Sequence, residues 1–258
     1  MISKNTIKRV NQLALKKFRQ KEKLFLVEGD KMVLELANSE WDIDELFVTP
    51  GFEPIVKEAG VAARILHVVT QQELKQISRL KTPQNALAVC KIPIGETLPG
   101  FLDESLSVYL DSVQDPGNLG TIIRICDWFG VENIFVSPET VDVFNPKVIQ
   151  ASMGSFSRVR VYECTIQEMK TLSAKSEATL YGAFMDGANV YKQQLATKAV
   201  LVMGNEGNGI SEETEKLIDQ KLSIPNFSAN VQRAESLNVS AATAILCSEF
   251  KRTSNYSK

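Results

Sequence analysis

Short apolar runs alternate with helical patterns along the first part of the chain. Ile7, Val10, Leu13 and Phe18 recur at helical spacing with basic residues between them, which predicts a helix over 5–20. The apolar runs that follow are LFLV (24–27), ELFV (45–48), RILHVV (64–69) and ALAVC (86–90). This alternation predicts a small α/β domain.

A second alternating series follows the segment IPIGETLPG (92–100), whose prolines and glycines are typical of a linker. Its apolar runs are LSVYL (106–110), NIFV (133–136), ATLYGAF (178–184), AVLVM (199–203) and KLSI (221–224). Runs that are apolar on both faces and separated by helices predict a parallel sheet with helices outside, and such sheets bind ligands beyond the carboxyl ends of their strands. We therefore expect one domain over 1–95 and a second over 105–258, the latter closed by a helix at about 237–251.

Positive charge is concentrated at the N-terminus of this chain of 258 residues, whose formal net charge is −2. Residues 1–31 hold nine lysines and arginines against three acids, a net charge of +6. Such a segment on an acidic protein indicates contact with a polyanion, although a solvated helix face would have the same composition. The candidate contacts are Lys16, Lys17, Arg19, Lys21 and Lys23.

Composition also limits the chemistry. No apolar stretch is long enough to span a bilayer, and the N-terminus lacks the apolar centre of a secretory signal, so we expect a cytoplasmic protein with no membrane partner. Without a CxxC pair or a Cys/His cluster, we expect buried thiols and no metal site. The single histidine, His67, lies in a strand-like run and is predicted to be a core or edge residue. If the protein is an enzyme, its base is therefore expected not to be histidine.

The sequence GNEGNGIS (204–211) directly follows the run AVLVM. Three glycines at the end of a strand indicate either a backbone that approaches a ligand closely or a turn that needs positive φ. A Walker A loop is disfavoured because Ile210 stands where lysine is required, and the Rossmann pattern GxGxxG is missing. Glu206 argues further against phosphate, which a carboxylate would repel.

Two further segments carry candidate residues. In DSVQDPGNLGTIIRICDWFG (111–130), Pro116 and Gly117 predict a turn and Asn118 can cap the following helix. Arg124 is a lone arginine in an otherwise apolar helix, so it either pairs with an acid across the core or serves the same pocket as the glycine loop.

In the other segment, SIPNFSANVQRAESLNVSAATAIL (223–246), Ile224 and Pro225 end a strand. Ser236, Leu237 and Asn238 open the last helix, and the small residues that follow, among them Ser240, permit tight packing.

In this order, the motifs resemble those of the SpoU (TrmH-like) family of the SPOUT superfamily, whose members are RNA ribose 2′-O-methyltransferases that use S-adenosylmethionine. The matching stretches are DPGNLGTIIR (115–124), LVMGNEGNGIS (201–211), IP (224–225) with SLNVSAA (236–242), and NPKVIQASMGSFSRVRV (145–161) between the motifs. The resemblance covers about 105–252. FRQKEKLFLVEGDKMVLEL (18–36) resembles the start of the family's ribosomal-protein-like substrate-binding domain.

The resemblance implies an α/β fold with a SPOUT-type parallel sheet and a C-terminal trefoil knot, preceded by a small α/β substrate-binding domain, and it implies a homodimer. The residues expected to hold the adenosine part of S-adenosylmethionine are Met203, Gly204, Ile224, Pro225 and Leu237. Those expected to line the reacting side are Asn118, Arg124, Glu206, Ser236 and Asn238. Arg124 takes the role of the base in the family, or it orients the ribose hydroxyl and a phosphate by bidentate hydrogen bonds.

The expected substrate is structured RNA, with ribosomal RNA ahead of transfer RNA, bound in part by the basic N-terminal segment. A base-nitrogen methyltransferase and a non-catalytic RNA-binding protein on the same scaffold are the alternatives, and the presence of the pocket residues disfavours the second. One stretch departs from the family: NFSANVQRAE (226–235) is longer than usual and lacks glycine. It puts the shape of the cofactor cover in question.

Overall fold

The computed structural model describes residues 2–93, 98–102, 105–228 and 235–256. The chain forms two compact units, each of two segments. The first unit comprises Met1–Glu96 with Asp142–Arg158, and the second comprises Thr97–Val141 with Val159–Lys258. The predicted linker at 92–100 lies at this division, and its residues 94–97 fall outside the described residues. No helix in the described part of the chain is long and apolar enough to cross a membrane.

The first unit is built on a mixed sheet. Its strands are β1 (Leu24–Glu28), β2 (Ile43–Val48), β3 (Ile65–Val68) and β4 (Ala86–Lys91). They lie in the order β1-β4-β2-β3, with β2 and β3 parallel and the other neighbours antiparallel. The accompanying helices are α1 (Lys4–Gln12), α2 (Lys16–Glu22), α3 (Asp30–Glu35), α4 (Glu53–Glu58) and α5 (Gln71–Ile77). The predicted small α/β domain is thus confirmed.

The helix predicted over 5–20 is instead two helices, α1 and α2. The break falls at Leu13–Leu15, where Leu13 ends α1 and the extended backbone of Leu15 precedes α2. Neither glycine nor proline marks the break in the sequence. The change in direction buries Arg19 and leaves Leu15 exposed. The helical spacing of apolar residues runs on across the turn, so the sequence pattern did not reveal it.

The second unit contains the predicted parallel sheet. Its strands are β5 (Leu106–Leu110), β6 (Asn133–Val136), β7 (Arg160–Glu163), β8 (Thr179–Asn189), β9 (Ala199–Met203) and β10 (Gln220–Ser223). Within the described residues they lie in the order β10-β8-β9-β5-β6-β7, and every neighbouring pair is parallel. The short edge strand β7 was not predicted, because RVYE has no apolar run. The trefoil knot stays a prediction.

The helices of the second half of the chain complete the fold. They are α6 (Pro116–Trp128), α7 (Pro146–Ser152), α8 (Ile166–Lys175), α9 (Glu212–Glu215) and α10 (Val239–Tyr256). Both α6 and α10 appear where the apolar periodicity predicted helices. The last helix begins two residues later than expected and extends further.

Residues 142–158, predicted as part of the second domain, instead pack with the first unit. The reason is an aromatic cluster on one side of the mixed sheet. Phe144 and Phe156 lie 4.9 and 6.1 Å from Phe25 between ring centroids, and Trp41 contacts the same rings. Ile149 of α7 joins this core. The insertion therefore supplies apolar surface that the first 95 residues do not contain.

A buried ion pair fixes the same insertion to α2. The Arg19 side chain is only 2% exposed, and its Nε donates to Asp142 Oδ2 at 2.9 Å. Another guanidinium nitrogen donates to the backbone oxygen of Leu13 at 2.8 Å. Because the guanidinium is removed from water, the carboxylate of Asp142 must compensate its positive charge.

We expect Arg19→Ala to destabilise the protein by about 3–5 kcal/mol, because it leaves the largely buried carboxylate of Asp142 without its cationic partner. The matched control is Lys91→Ala, which removes a half-exposed lysine that pairs with the exposed carboxylate of Asp42, and which should cost about 0–1 kcal/mol. The measurement is the free energy of unfolding in urea. Equal losses in the two variants would contradict the role given to the buried pair.

Candidate functional site

The carboxyl ends of β5 and β9 meet because the two strands are parallel neighbours. Asp111 follows β5, and its Oδ2 accepts a hydrogen bond from the Ser211 amide at 2.8 Å. The next residue, Ser112, has a positive φ of 59° and accepts from Asn205 Nδ2 at 2.8 Å. Both ends of the glycine loop (204–211) are therefore fixed to the segment that follows β5.

The glycine loop closes on itself. Asn205 and Gly209 exchange two backbone hydrogen bonds of 2.8 and 2.9 Å, and Gly209 has a φ of 71°. The side-chain oxygen of Asn205 accepts from the amides of Gly207 and Asn208. A phosphate-binding loop directs such amides at its ligand, whereas these are already bonded within the loop. The geometry agrees with the sequence argument against phosphate.

Gly204 allows this closure. A Cβ at Gly204 would lie 2.2 Å from the backbone carbon of Gly209 and 2.3 Å from the amide nitrogen of Ile210. A side chain there would first displace the loop's own backbone. The absent side chain thus makes room for the other half of the loop. The close approach of a ligand to this glycine stays a prediction.

A pocket of about 730 Å³ opens beside the loop. All five residues predicted to hold the cofactor line it, namely Met203, Gly204, Ile224, Pro225 and Leu237. Three of the residues predicted for the reacting side also line it: Glu206, Ser236 and Asn238. The sequence motifs therefore converge on one cavity, although the segments that carry them lie far apart in the chain.

Sequence reasoning missed the wall that β8 contributes. The register between β8 and β10 jumps from Gly182 to Ala188 across one step of β10, so residues 183–187 leave the regular pairing. Phe184 and Met185 of this stretch line the pocket. The glycines at both ends of the stretch were the available signal, since glycine within a strand often marks a bulge.

The charged side chains that line the pocket in the described part of the chain are acidic. Among the residues that line it in the described part of the chain, Glu206 and Glu235 are acidic and none is lysine, arginine or histidine. Opposite charges attract strongly where water is partly excluded. The pocket therefore favours a ligand that carries positive charge over a phosphate.

Asn118 connects three segments at the rim of the pocket. Its Nδ2 donates to Glu206 Oε1 at 2.8 Å, and its Oδ1 accepts from Asn238 Nδ2 at 3.0 Å. The prediction that Asn118 caps α6 is wrong. Asp115 is the cap, accepting from the Asn118 amide at 2.8 Å, and Pro116 and Gly117 are the first helical residues rather than a turn. The Asn118 side chain is thereby left for the pocket.

Arg124 lies away from this group. It is exposed, does not line the pocket and makes no hydrogen bond or ion pair with any described residue. The predicted alternative of an ion pair across the core is therefore wrong. Six residues turn a helix by about 600°, which places Arg124 about 120° around α6 from Asn118. Trp128, one turn further along, has 84% of its surface exposed on a similar face.

The four cysteines are free and buried as expected, and burial raises the pKa of Cys164 to about 12. His67 is half-buried on the edge strand β3, 2.9 Å from Glu45.

In the described part of the chain no group of three or more His, Cys, Asp or Glu side chains is placed to hold a metal ion. Of the segment 226–235, residues 229–234 lie outside the described residues.

The basic candidates of the first unit divide into two kinds. Lys16, Lys17, Lys21 and Lys23 are exposed on and beside α2. Arg19 is not, and its predicted role as a contact for a polyanion is wrong because its guanidinium is buried against Asp142. The lysines are left as the candidate contacts.

Two family models match this chain. The model of the SpoU rRNA Methylase family matches residues 105–248. A second model, the MRM3-like substrate binding domain, matches residues 4–88. The first match lies within the predicted domain over 105–258, and the second lies within the predicted domain over 1–95.

Curated proteins and solved structures agree with the models. The 23S rRNA (guanosine(2553)-2′-O)-methyltransferase RlmP of Bacillus subtilis is 30% identical over 93% of both chains. The structure of a putative RNA methyltransferase of the TrmH family from Porphyromonas gingivalis is 38% identical, with a TM-score of 0.87 over 98% of this chain and 99% of its own. An AdoMet-bound rRNA methyltransferase from Sinorhizobium meliloti is 26% identical, with a TM-score of 0.84 over 98% of this chain and 97% of its own. The family predicted from the motifs is confirmed, and the chain belongs to the SpoU rRNA Methylase family.

Proposed function

We propose that this protein methylates one ribose 2′-hydroxyl of ribosomal RNA in the cytoplasm, with S-adenosylmethionine as the methyl donor. The reaction class, RNA 2′-O-methylation, comes with the family to which the chain belongs. The observation that carries the assignment is a single pocket lined by the second and third motifs, with Asn118 of the first motif bonded to the lining residues Glu206 and Asn238. Ribosomal RNA is supported by the relatives that are 23S rRNA methyltransferases, among them enzymes from Bacillus subtilis and Haemophilus ducreyi.

The pocket suits the proposed donor in size and charge. A cavity of about 730 Å³ is within the usual range for small-molecule sites, about 300–1,000 Å³. Met203, Ile224 and Leu237 offer apolar contacts for a nucleoside. When bound, S-adenosylmethionine supplies a reactive methyl group on a positively charged sulfur, and the carboxylates of Glu206 and Glu235 suit that charge.

On the acceptor side, we assign orientation of the reacting groups to Asn118, Glu206, Ser236 and Asn238. The side chains of Asn118, Glu206 and Asn238 already form a hydrogen-bonded chain at the pocket rim. A fixed geometry of this kind avoids the loss of freedom that would otherwise oppose the reaction. Ser236 lies beside the chain and lines the same rim.

Arg124 is assigned to the ribose hydroxyl and a neighbouring phosphate, where its planar guanidinium can form two hydrogen bonds. Its position on α6 suggests that it reaches the pocket of a second subunit. A homodimer that covers this face of α6 would also remove the exposed Trp128 from water. In this proposal each complete site combines the pocket of one chain with the arginine of its partner.

The first unit is proposed to hold the RNA. It matches a substrate-binding domain, and four exposed lysines lie together on and beside α2. Contacts with phosphates position an RNA without specifying its sequence. The selection of the nucleotide is therefore assigned to the shape of the RNA at the catalytic pocket.

Removing the protein from its cells should abolish one ribose 2′-O-methyl mark in ribosomal RNA. The measurement is a map of ribose methylation in total RNA with and without the gene, followed by complementation with the wild-type chain. A mark lost from transfer RNA instead would reassign the substrate, and a changed base mark would overturn the reaction class.

Arg124→Ala should lower turnover by about 10²-fold or more while leaving the affinity for S-adenosylmethionine unchanged, because the arginine acts at the acceptor oxygen. The matched control is Arg252→Ala, which removes an exposed arginine of α10 that pairs with Glu249. Turnover is measured with RNA and labelled cofactor, and affinity by calorimetry. Full activity in the Arg124 variant would remove this residue from the reacting centre.

Mixing two inactive variants tests whether the arginine acts across a dimer. If Arg124→Ala and Glu206→Gln are each inactive, random subunit exchange should restore about a quarter of wild-type activity, since one site in each mixed dimer is intact. If the arginine acts within its own chain, both sites of a mixed dimer stay inactive. Light scattering on the same samples measures the subunit number, and a monomer at micromolar concentration would contradict the dimer.

Replacing Lys16, Lys17 and Lys21 by alanine should weaken RNA binding and make it less dependent on salt. With fewer phosphate contacts, binding releases fewer counterions from the RNA. Lys23 is left in place because its φ of 53° would add backbone strain to the comparison. The control replaces the exposed Lys175, Lys192 and Lys216 of the second unit. Equal effects of the two triple variants on the salt slope would show that α2 has no special role.

A further inference from the structure

The side-chain amide of Asn118 is held by three neighbours. Its Nδ2 donates to Glu206 Oε1 at 2.8 Å. Its Oδ1 accepts from Asn238 Nδ2 at 3.0 Å and from Ser240 Oγ at 3.2 Å. A carbonyl oxygen has two lone pairs, so the acceptor capacity of this amide is filled.

The chemistry of these partners allows a single orientation of the amide. The Oδ1 of Asn238 accepts from the backbone amides of Ser240 and Ala241 at the start of α10, so its Nδ2 must face Asn118. A carboxylate accepts hydrogen bonds and donates none. Rotating the Asn118 amide by half a turn would therefore place its oxygen against the Glu206 carboxylate and its NH2 group against the NH2 group of Asn238.

Ser240 differs from an ordinary helical hydroxyl. Thr243, one turn further along α10, donates to the carbonyl of Val239 in its own helix at 2.7 Å. The Ser240 hydroxyl instead points across to α6, where the side-chain and backbone oxygens of Asn118 lie at 3.2 and 3.3 Å. It is only 5% exposed, so water does not readily replace it. The sequence had indicated only a small residue suited to packing at this position.

We propose that Ser240 is a positioning residue for methyl transfer, which acts by holding the Asn118 amide toward Glu206. The inference rests on the proposed function for its effect on catalysis. The terminal torsion of asparagine is broad, so an amide that loses one of its donors samples more orientations. Glu206 then keeps its hydrogen bond for a smaller fraction of the time, and the geometry of the pocket rim is less defined at the moment of reaction.

The test compares Ser240→Ala with Thr243→Val. Both variants remove one buried hydroxyl from the first turns of α10, but only Ser240 contacts Asn118. Ser240→Ala should lower kcat roughly tenfold while the KM for RNA and the Kd for S-adenosylmethionine change less than about twofold, because the lost contact orients a reacting group and holds neither substrate. Thr243→Val should leave kcat near the wild-type value.

A second measurement does not depend on catalysis. In nuclear magnetic resonance spectra of the full-length protein, the side-chain amide protons of Asn118 should exchange with water faster in Ser240→Ala than in wild type or Thr243→Val. Unchanged exchange, unchanged kcat, or equal kcat losses in both variants would overturn the inference. If the wild-type protein methylates no RNA, the proposed function fails, and the role of Ser240 is then decided by the exchange measurement alone.

Discussion

The parallel pairing of β5 with β9 is the constraint on which the candidate site depends. These neighbours in the sheet are separated by nearly ninety residues of chain, and their pairing places Asp111 and Ser112 beside the glycine loop. The loop can then close tightly because its polar groups find partners outside it as well as within it. A shift in strand register would remove both anchors at once.

Within one chain, the pocket and Arg124 lie in different places. The glycine loop, the end of β10 and the start of α10 enclose a cavity with apolar contacts and acidic side chains. The Asn118 amide then ties the rim of that cavity to α6. Arg124 belongs to the same helix but faces elsewhere, so a single chain presents the donor pocket without the arginine. This arrangement is the physical reason for proposing a second subunit as part of each site.

The sequence predicted features that depend on neighbours along the chain. Apolar runs located most strands. The second and third motifs identified pocket residues because they surround a strand end and a helix start, and the first motif identified Asn118 beside them. The sequence did not predict features that depend on residues far away along the chain. Arg19 looks like any other basic residue of α2, and only Asp142, 123 residues away, explains its burial. The cap of α6 does have a local signal, since proline at the first helical position favours Asp115 over Asn118.

The two-segment construction of the first unit bears on the order in which the protein folds. Its aromatic cluster and its buried ion pair both need residues 142–158, which leave the ribosome after β5, α6 and β6. Domains usually fold as units from the N-terminus during synthesis. Here the N-terminal unit cannot complete its core until part of the catalytic unit has been made. During synthesis, Phe25 and Trp41 of the first unit therefore lack their contacts with Phe144 and Phe156 until residues 142–158 have been made.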